Sequence, residues 1–332
     1  MKDTVKLILL FISLSILSGS DYVGYGSFVS NSSSARTIAL SYANTAWASG
    51  LESVSSNSAG LVSMTELRFN AGWSLNTSSF MKDLKYQSLS IGYGRKIYKI
   101  PEIYMAIGFG YQGFKVDDID EYDKFENYQS TFNFSEAAYN FLTAFRIYTL
   151  SMGLKWTYYS QNFGSYGYSH SNKEDLKSKF FRPTELGMQY RITKKLMIGV
   201  IYNKSTRIGL YDITPARLKF GIARKDKSLN YGLDYERLST DKGRIMTGVE
   251  YTKDIYNIPI SFRFGGRGNI NDDPNGWKIK DSIYLTTGIG IRFNEKNFLK
   301  KSFIFNFALN QSTYPNIVTP IVRMVYISID FY

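Results

Sequence analysis

One histidine, His170, and no cysteine stand among 332 residues. Zinc centres, thiol nucleophiles and imidazole acid–base pairs draw on these two residue types, so only His170 is left to serve them. It lies in Gly164-Ser165-Tyr166-Gly167-Tyr168-Ser169-His170-Ser171, where hydroxyls abound but no spacing fixes a base beside a nucleophile and an orienting group. It reads as a solvated loop residue. Oxygen-ligand chemistry is the next option. Between Lys115 and Ser135, Asp117, Asp118, Asp120, Glu121, Asp123 and Glu126 face only Lys115 and Lys124; calcium is conceivable there, and a charge-rich outer loop is the simpler reading. Asn271-Asp272-Asp273-Pro274-Asn275-Gly276 approaches the spacing of an EF-hand loop, but Ser282 stands where the bidentate Glu belongs, and turn chemistry accounts for it. No catalytic residue, metal site or cofactor is expected, and the chain does not read as an enzyme.

A second ionisable set is more informative. Lys155, Glu185, Arg217, Lys219, Asp234, Glu236, Glu250, Arg263 and Arg292 fall on the polar side of segments that alternate apolar and polar residues, the pattern of strands with two different faces. Leu67, Phe69, Ala71, Trp73 and Leu75 show the same period, as do Ile103 to Tyr111, Leu150 to Tyr158, Leu229 to Tyr235 and Ile283 to Phe293. Fourteen such segments are predicted, at 67–75, 84–94, 103–114, 136–145, 149–159, 182–192, 196–203, 216–224, 229–237, 245–253, 258–266, 282–293, 302–310 and 322–332. Most are longer than the ~5–6 residues of soluble strands and match the ~9–11 that cross a bilayer when tilted.

A soluble sandwich also alternates. Against it stand the even strand count, Tyr, Trp and Phe near strand ends, and connections that alternate long and short. The fold class expected is all-β: a transmembrane antiparallel β-barrel of 14 strands at residues 67–332. Composition agrees, with 27 Tyr, 23 Phe and 27 Gly among residues that are 44% hydrophobic and 20% charged, a content rich in strand formers. The mixed signs of the inward set argue against a strongly ion-selective pore. Cross-strand pairing and anchoring of an inner element are their first reading; lining a path is the second, in which Arg263 and Arg292 hold a carboxylate bidentately.

Connection lengths orient the barrel. The long ones, 115–135, 160–181, 204–215, 267–281 and 311–321, are expected outside the cell, and the tight ones, with both termini, on the periplasmic side. Segments 95–102, 194–195, 224–227, 253–254 and 295–301 then hold twelve basic and four acidic residues. Much of the formal net charge of +12 is therefore placed at one rim, not on a nucleic-acid face. Anionic outer-membrane lipid head groups, or an acidic periplasmic protein, are the partners such a rim suits.

Residues 1–20 read as a signal peptide, with Lys2 and Lys6, an apolar run over Leu7–Leu17, and Ser18-Gly19-Ser20. Residues 21–66 are rich in Ser, Ala, Asn and Gly and do not alternate; a helix is predicted through Arg36–Leu51. Too small to bury a core alone, this segment could pack inside the barrel. Ser34-Ala35-Arg36, Ala43, Thr45-Ala46-Trp47-Ala48, and Asn57-Ser58-Ala59-Gly60-Leu61 ahead of the first strand resemble the N-terminal hatch of FadL-type outer-membrane proteins, a superfamily that includes a PorV-like branch. Ser58 stands where the family carries proline, and Ser49-Gly50 where acidic residues are common. Asn57 can still cap and Gly60 can take a positive φ.

The resemblance implies a plug at residues 21–66, gated through Trp47, Leu51, Asn57, Ala59, Gly60 and Leu61, in a channel for hydrophobic or amphipathic, fatty-acid-like small molecules. For the PorV-like branch it implies instead a shuttle or outer-membrane component in protein secretion. The final strand, with Val325, Ile327, Ile329 and Phe331 before Tyr332, resembles the signal read by the barrel-assembly machinery.

Overall fold

The computed structural model describes residues 34–76, 84–98, 102–122, 128–163, 176–177, 184–208, 212–214, 216–239, 242–273, 276–293, 303–313 and 323–331. The signal-peptide reading, His170 and Tyr332 fall outside these residues. In chain order the strands are β1 Leu67–Asn76, β2 Leu84–Tyr98, β3 Ile103–Tyr122, β4 Tyr128–Ile147, β5 Leu150–Phe163, β6 Leu176–Lys177, β7 Glu185–Arg191, β8 Leu196–Asn203, β9 Thr206–Ile208, β10 Asp212–Thr214, β11 Arg217–Lys225, β12 Leu229–Leu238, β13 Lys242–Ile255, β14 Ile258–Asp273, β15 Gly276–Phe293, β16 Phe303–Thr313 and β17 Arg323–Phe331. Fourteen of them hydrogen-bond side by side, each antiparallel to the next, and β17 pairs with β1 from Phe69↔Phe331 to Asn76↔Met324. The sheet is closed, so no edge is left unpaired. The three remaining strands are short: β6 adds to β5, and β9 and β10 form a separate two-stranded hairpin.

All fourteen wall strands coincide with alternating segments of the sequence, because each has one face turned out and one turned in. Leu67, Phe69, Trp73, Ile91, Phe109, Leu233 and Phe264 are exposed, while Asn70, Ser88, Gln112, Asn140, Gln189 and Asn230 are buried. An apolar exterior around a polar interior is a membrane-spanning barrel. Cross-strand aromatic rows run over the exterior. Phe109, Phe141 and Trp156 sit side by side on β3, β4 and β5 with centroids 5.0 and 5.6 Å apart. Phe69, Phe331, Phe303 and Phe293 carry a second row across the closing seam at 6.1, 6.4 and 4.7 Å.

At one end of the barrel the described connections are tight turns. Tyr256 and Asn257 both take positive φ, 50° and 63°, between the paired Ile255 and Ile258, the conformation a two-residue hairpin requires. At the other end two of the expected long loops are strand instead, while the connections expected at 160–181 and 311–321 lie mostly outside the described residues. β3 and β4 pair out to Tyr122↔Tyr128 and β14 and β15 to Asp273↔Gly276. Most of what reads as the loops 115–135 and 267–281 is thus strand. Residues 204–215 likewise contain the β9–β10 hairpin. At 20 residues each, β3 and β4 exceed the ~9–11 needed to cross; backbone pairing continues past the bilayer, where strict alternation is no longer demanded. Asp117, expected in a calcium-capable loop, lies on β3 and pairs with Lys85 at 2.8 Å and Lys115 at 2.6 Å.

Candidate functional site

Residues 34–64 lie within the ring of strands, in contact with wall residues nearly all the way round. Their conformation is not the helix predicted through Leu51. The helix α1 spans only Ala35–Ala39, and 3₁₀ turns occupy Gly50–Val54 and Ser58–Ser63. Ser41 and Tyr42 take positive φ, 49° and 68°, which ends α1. The wall holds that turn: Lys219 donates to the Tyr42 carbonyl at 2.6 Å, Ser41 and Thr286 share a hydroxyl–hydroxyl bond at 2.8 Å, and Arg267 lies over the Tyr42 ring at 5.3 Å. Strained backbone persists where surrounding contacts over-determine it.

Wall glycines let this segment come close. A Cβ on Gly232 would fall 2.6 Å from the Ala43 carbonyl oxygen, and on Gly248 2.7 Å from that of Leu40. Gly265 meets Ser41 in the same way, with 2.6 Å to its backbone nitrogen. Gly232 pairs with Gly248 and Gly248 with Gly265, so three adjacent strands present bare backbone at one level.

The residues expected to form a gate are all buried in this segment. The Trp47 indole donates to the Ala43 carbonyl at 2.7 Å, and its ring packs with Leu40, Ala46 and Ala223. Leu51 and Leu61 cluster with Val54, Val62, Met64 and the wall residues Ala106, Leu142 and Ala144. Asn57 caps as the sequence suggests, its Oδ1 accepting from the Ala59 amide at 3.1 Å, while its Nδ2 donates to the carbonyls of Thr45 at 2.8 Å and Met188 at 3.0 Å. Ala59 sits where Gly153 of β5 lacks a side chain. Gly60 is not in the left-handed region; its requirement is close approach, with a Cβ falling 2.6 Å from the Ala48 carbonyl carbon. The positive φ belongs to Gly50, at 63°.

The inward ionisable set pairs internally and with the segment. Lys155 and Glu185 form a buried ion pair, and Glu185 also accepts from the Ser58 amide at 3.1 Å. Lys219 lies 3.3 Å from Asp234, which accepts from the Thr45 amide at 2.9 Å. Arg217 donates to Asn203 at 2.8 Å and lies 3.6 Å from Glu236, which Arg244 also contacts. Glu250 of β13 takes Arg263 at 2.7 Å and Arg36 at 2.8 Å, and Arg36 extends to Glu52 at 2.6 Å. Arg263 therefore does not stand with Arg292 as a carboxylate clamp: its guanidinium is engaged by Glu250 and, at 2.9 Å, by Asn306, while Arg292 is exposed at the tight-turn mouth.

The network runs further than the inward set suggests. Asn306 donates to Asp330 of β17 at 3.0 Å, and Asn70 of β1 donates to the other Asp330 oxygen at 2.6 Å. A continuous chain of bonds thus links the segment to both sides of the closing seam. Arg36 and Glu52 were not singled out as site residues; the Ser49-x-x-Glu52 spacing of a capping box was their readable signal, and the Ser49 amide does donate to Glu52 at 2.7 Å. Gln189 was also missed, and donates to the Thr45 and Ala48 carbonyls at 3.2 and 3.1 Å.

Two cavities flank the segment at the tight-turn end, of about 370 and 300 Å³; toward the other end one of about 30 Å³ lies beside Tyr42 and Arg217. On the rim, Lys195 bonds Asp226 and Lys96 bonds Glu102, at 2.8 and 2.6 Å. These ammonium groups hold the Asp226 and Glu102 carboxyls below their ordinary range. The arrangement offers binding surfaces and bonded charges, not a reacting constellation.

Neither a known family model nor a curated protein matches the sequence. Solved structures do. The CymD monoaromatic hydrocarbon channel superposes over 90% of this chain and 97% of its own, with a TM-score of 0.62 at 15% identity. The toluene transporter TbuX of Ralstonia pickettii covers 88% and 96%, with a TM-score of 0.51 at 13% identity. A Pseudomonas aeruginosa FadL homologue covers 90% and 97%, with a TM-score of 0.54 at 8% identity. Likeness at such identities speaks for architecture: this chain is a fourteen-stranded barrel of the bacterial outer-membrane kind, with the fold of the FadL-type channels.

Proposed function

We propose that the protein is an outer-membrane channel for hydrophobic or amphipathic small molecules, with residues 34–64 as the plug that gates it, and with the tight-turn end and both termini in the periplasm. The observation that carries the reading is the seat of the segment: it is buried throughout the lumen, wedged against wall glycines and tied to six or more strands by side-chain bonds. Solved barrels of the same fold include a monoaromatic hydrocarbon channel and a toluene transporter. Cavities on one side and close packing on the other suit a closed state that opens when the segment shifts. No covalent step is involved. In a planar bilayer the full chain should conduct little, and a chain lacking residues 34–64 should show a large, steady ion conductance. Equal conductance would contradict the plug.

A second reading rests on the rim, where Lys194, Arg224, Lys225 and Lys227 crowd the turns beside the paired Lys195 and Asp226. A secreted or periplasmic acidic protein would dock there, as expected of a PorV-like component. A stable protein partner in pull-downs, with no small molecule in the purified barrel, favours that reading.

A further inference from the structure

The cavity of about 30 Å³ toward the other end of the barrel, beside Tyr42 and Arg217, has an unbalanced lining. Arg217 and Lys219 of β11, Arg244 of β13 and Arg267 of β14 line it against one carboxylate, that of Glu236 on β12. Asp234, 3.3 Å from Lys219, is the next acid. The ion pairs here are long. Lys219–Asp234 and Arg244–Glu236 stand at 3.3 Å and Arg217–Glu236 at 3.6 Å, whereas Glu250 and Glu52 hold their arginines at 2.6 to 2.8 Å on the opposite side of the segment. Lys219 and Glu236 are buried, and cations gathered out of water need close counter-charge. A neutral group in the same lining is also incomplete. Asn44 is fully buried, its Nδ2 donates to the Thr37 hydroxyl at 2.8 Å, and its Oδ1 has no hydrogen-bond partner, although buried polar atoms are nearly always bonded.

We propose that this cavity holds one small inorganic anion of the halide class, chloride in ordinary media, among the guanidiniums of Arg217, Arg244 and Arg267 and the ammonium of Lys219. The size selects the ligand: the space takes an ion or a water and falls far short of the ~300–1,000 Å³ of sites for organic molecules. The Asn44 amide completes the shell when turned over. Its Oδ1 then accepts from the Thr37 hydroxyl and its Nδ2 donates to the anion; the bonds an amide makes decide which end is which. Lys219 also donates to the Tyr42 carbonyl, and Arg267 lies over the Tyr42 ring. The bound ion thus joins the Ser41–Tyr42 turn of the segment to β11, β13 and β14. The inference goes beyond the channel reading and does not depend on what passes through the barrel.

The test is equilibrium unfolding of the full chain by urea in phospholipid vesicles, at constant ionic strength, as chloride replaces gluconate, an anion too large for the cavity. Above the dissociation constant, each tenfold rise in chloride should raise the ratio of folded to unfolded chain about tenfold, and bromide should act alike. Asn44→Asp puts a carboxylate in the lining and should remove the chloride response without weakening the barrel in gluconate. Arg267→Met should remove the response whatever it does to stability, and Arg267→Lys should keep part of it. Anomalous diffraction from crystals of the unmodified chain grown in bromide should place the halide in this cavity, a check that needs no variant. Equal stability in chloride and gluconate overturns the proposal; so does a chloride effect that survives both Asn44→Asp and Arg267→Met, or bromide found only elsewhere on the molecule. Bromide in the cavity with no chloride effect on stability is an adventitious ion only, and overturns it as well.

Discussion

Arg36 of the inner segment donates to Glu250 of β13 at 2.8 Å across 214 positions of sequence, and the same guanidinium reaches Glu52 at 2.6 Å. With side chains 18% and 8% exposed, the Arg36–Glu250 pair is largely removed from water. Taking one partner from such a pair costs about 3–5 kcal/mol. Glu250→Gln takes a carboxylate from both guanidiniums, leaving Arg36 with Glu52 and buried Arg263 with the neutral Asn306, so it should lower the unfolding midpoint more than Arg36→Met, which leaves Glu250 with Arg263. Heat-modifiability on gels and detergent unfolding curves give both midpoints. A Glu250→Gln barrel as stable as the unmodified one would show that the pair does not hold the segment.

The glycine seat makes a sharper steric prediction. Gly248→Val places side-chain atoms where the Leu40 carbonyl sits, 2.7 Å from the new Cβ, whereas at Gly266 the nearest atoms are 3.7 and 4.0 Å away. Overpacking of this kind costs about 1–3 kcal/mol. Gly248→Val should therefore speed protease cleavage within residues 34–64, and Gly266→Ala should leave it unchanged. Limited proteolysis followed by peptide mapping reads both.

Rim acidity follows from the turn pairs. Lys195 holds the Asp226 carboxyl below its ordinary range, so the folded form has the lower pKa. The contribution of this pair is fully present above the ordinary aspartate value of about 3.9 and is lost as pH falls through the depressed one. Carbon-detected titration of the carboxyl in micelles should give a midpoint that rises in Lys195→Ala. An unchanged midpoint would mean the bond is absent in solution.

The barrel wall was legible because a membrane and a lumen impose opposite demands on neighbouring residues, so Phe109 must face out where Gly108 and Gly110 face in. The extensions of β3 and β4 were not, since beyond the bilayer a strand can carry Asp117 paired with Lys85 and Lys115 and the period fades. Within the segment, Asn57 showed its capping role by residue type alone. The turn at Ser41–Tyr42 left no such mark, because Lys219 and Thr286, distant in sequence, impose it. The inward charges were found by period, but their partners were not: what Arg263 bonds is decided by which strand lies beside β14 and by where Arg36 lands.

Locking the segment tests the gating account most directly. The chain has no cysteine, and the hydroxyls of Ser41 and Thr286 lie 2.8 Å apart, so Ser41→Cys with Thr286→Cys can join the segment to β15 by one disulfide. Uptake of a labelled monoaromatic hydrocarbon into proteoliposomes should fall to background in the oxidised double variant and return on reduction, with both single variants active throughout. Equal uptake in the oxidised and reduced forms would contradict the claim that molecules pass by movement of residues 34–64.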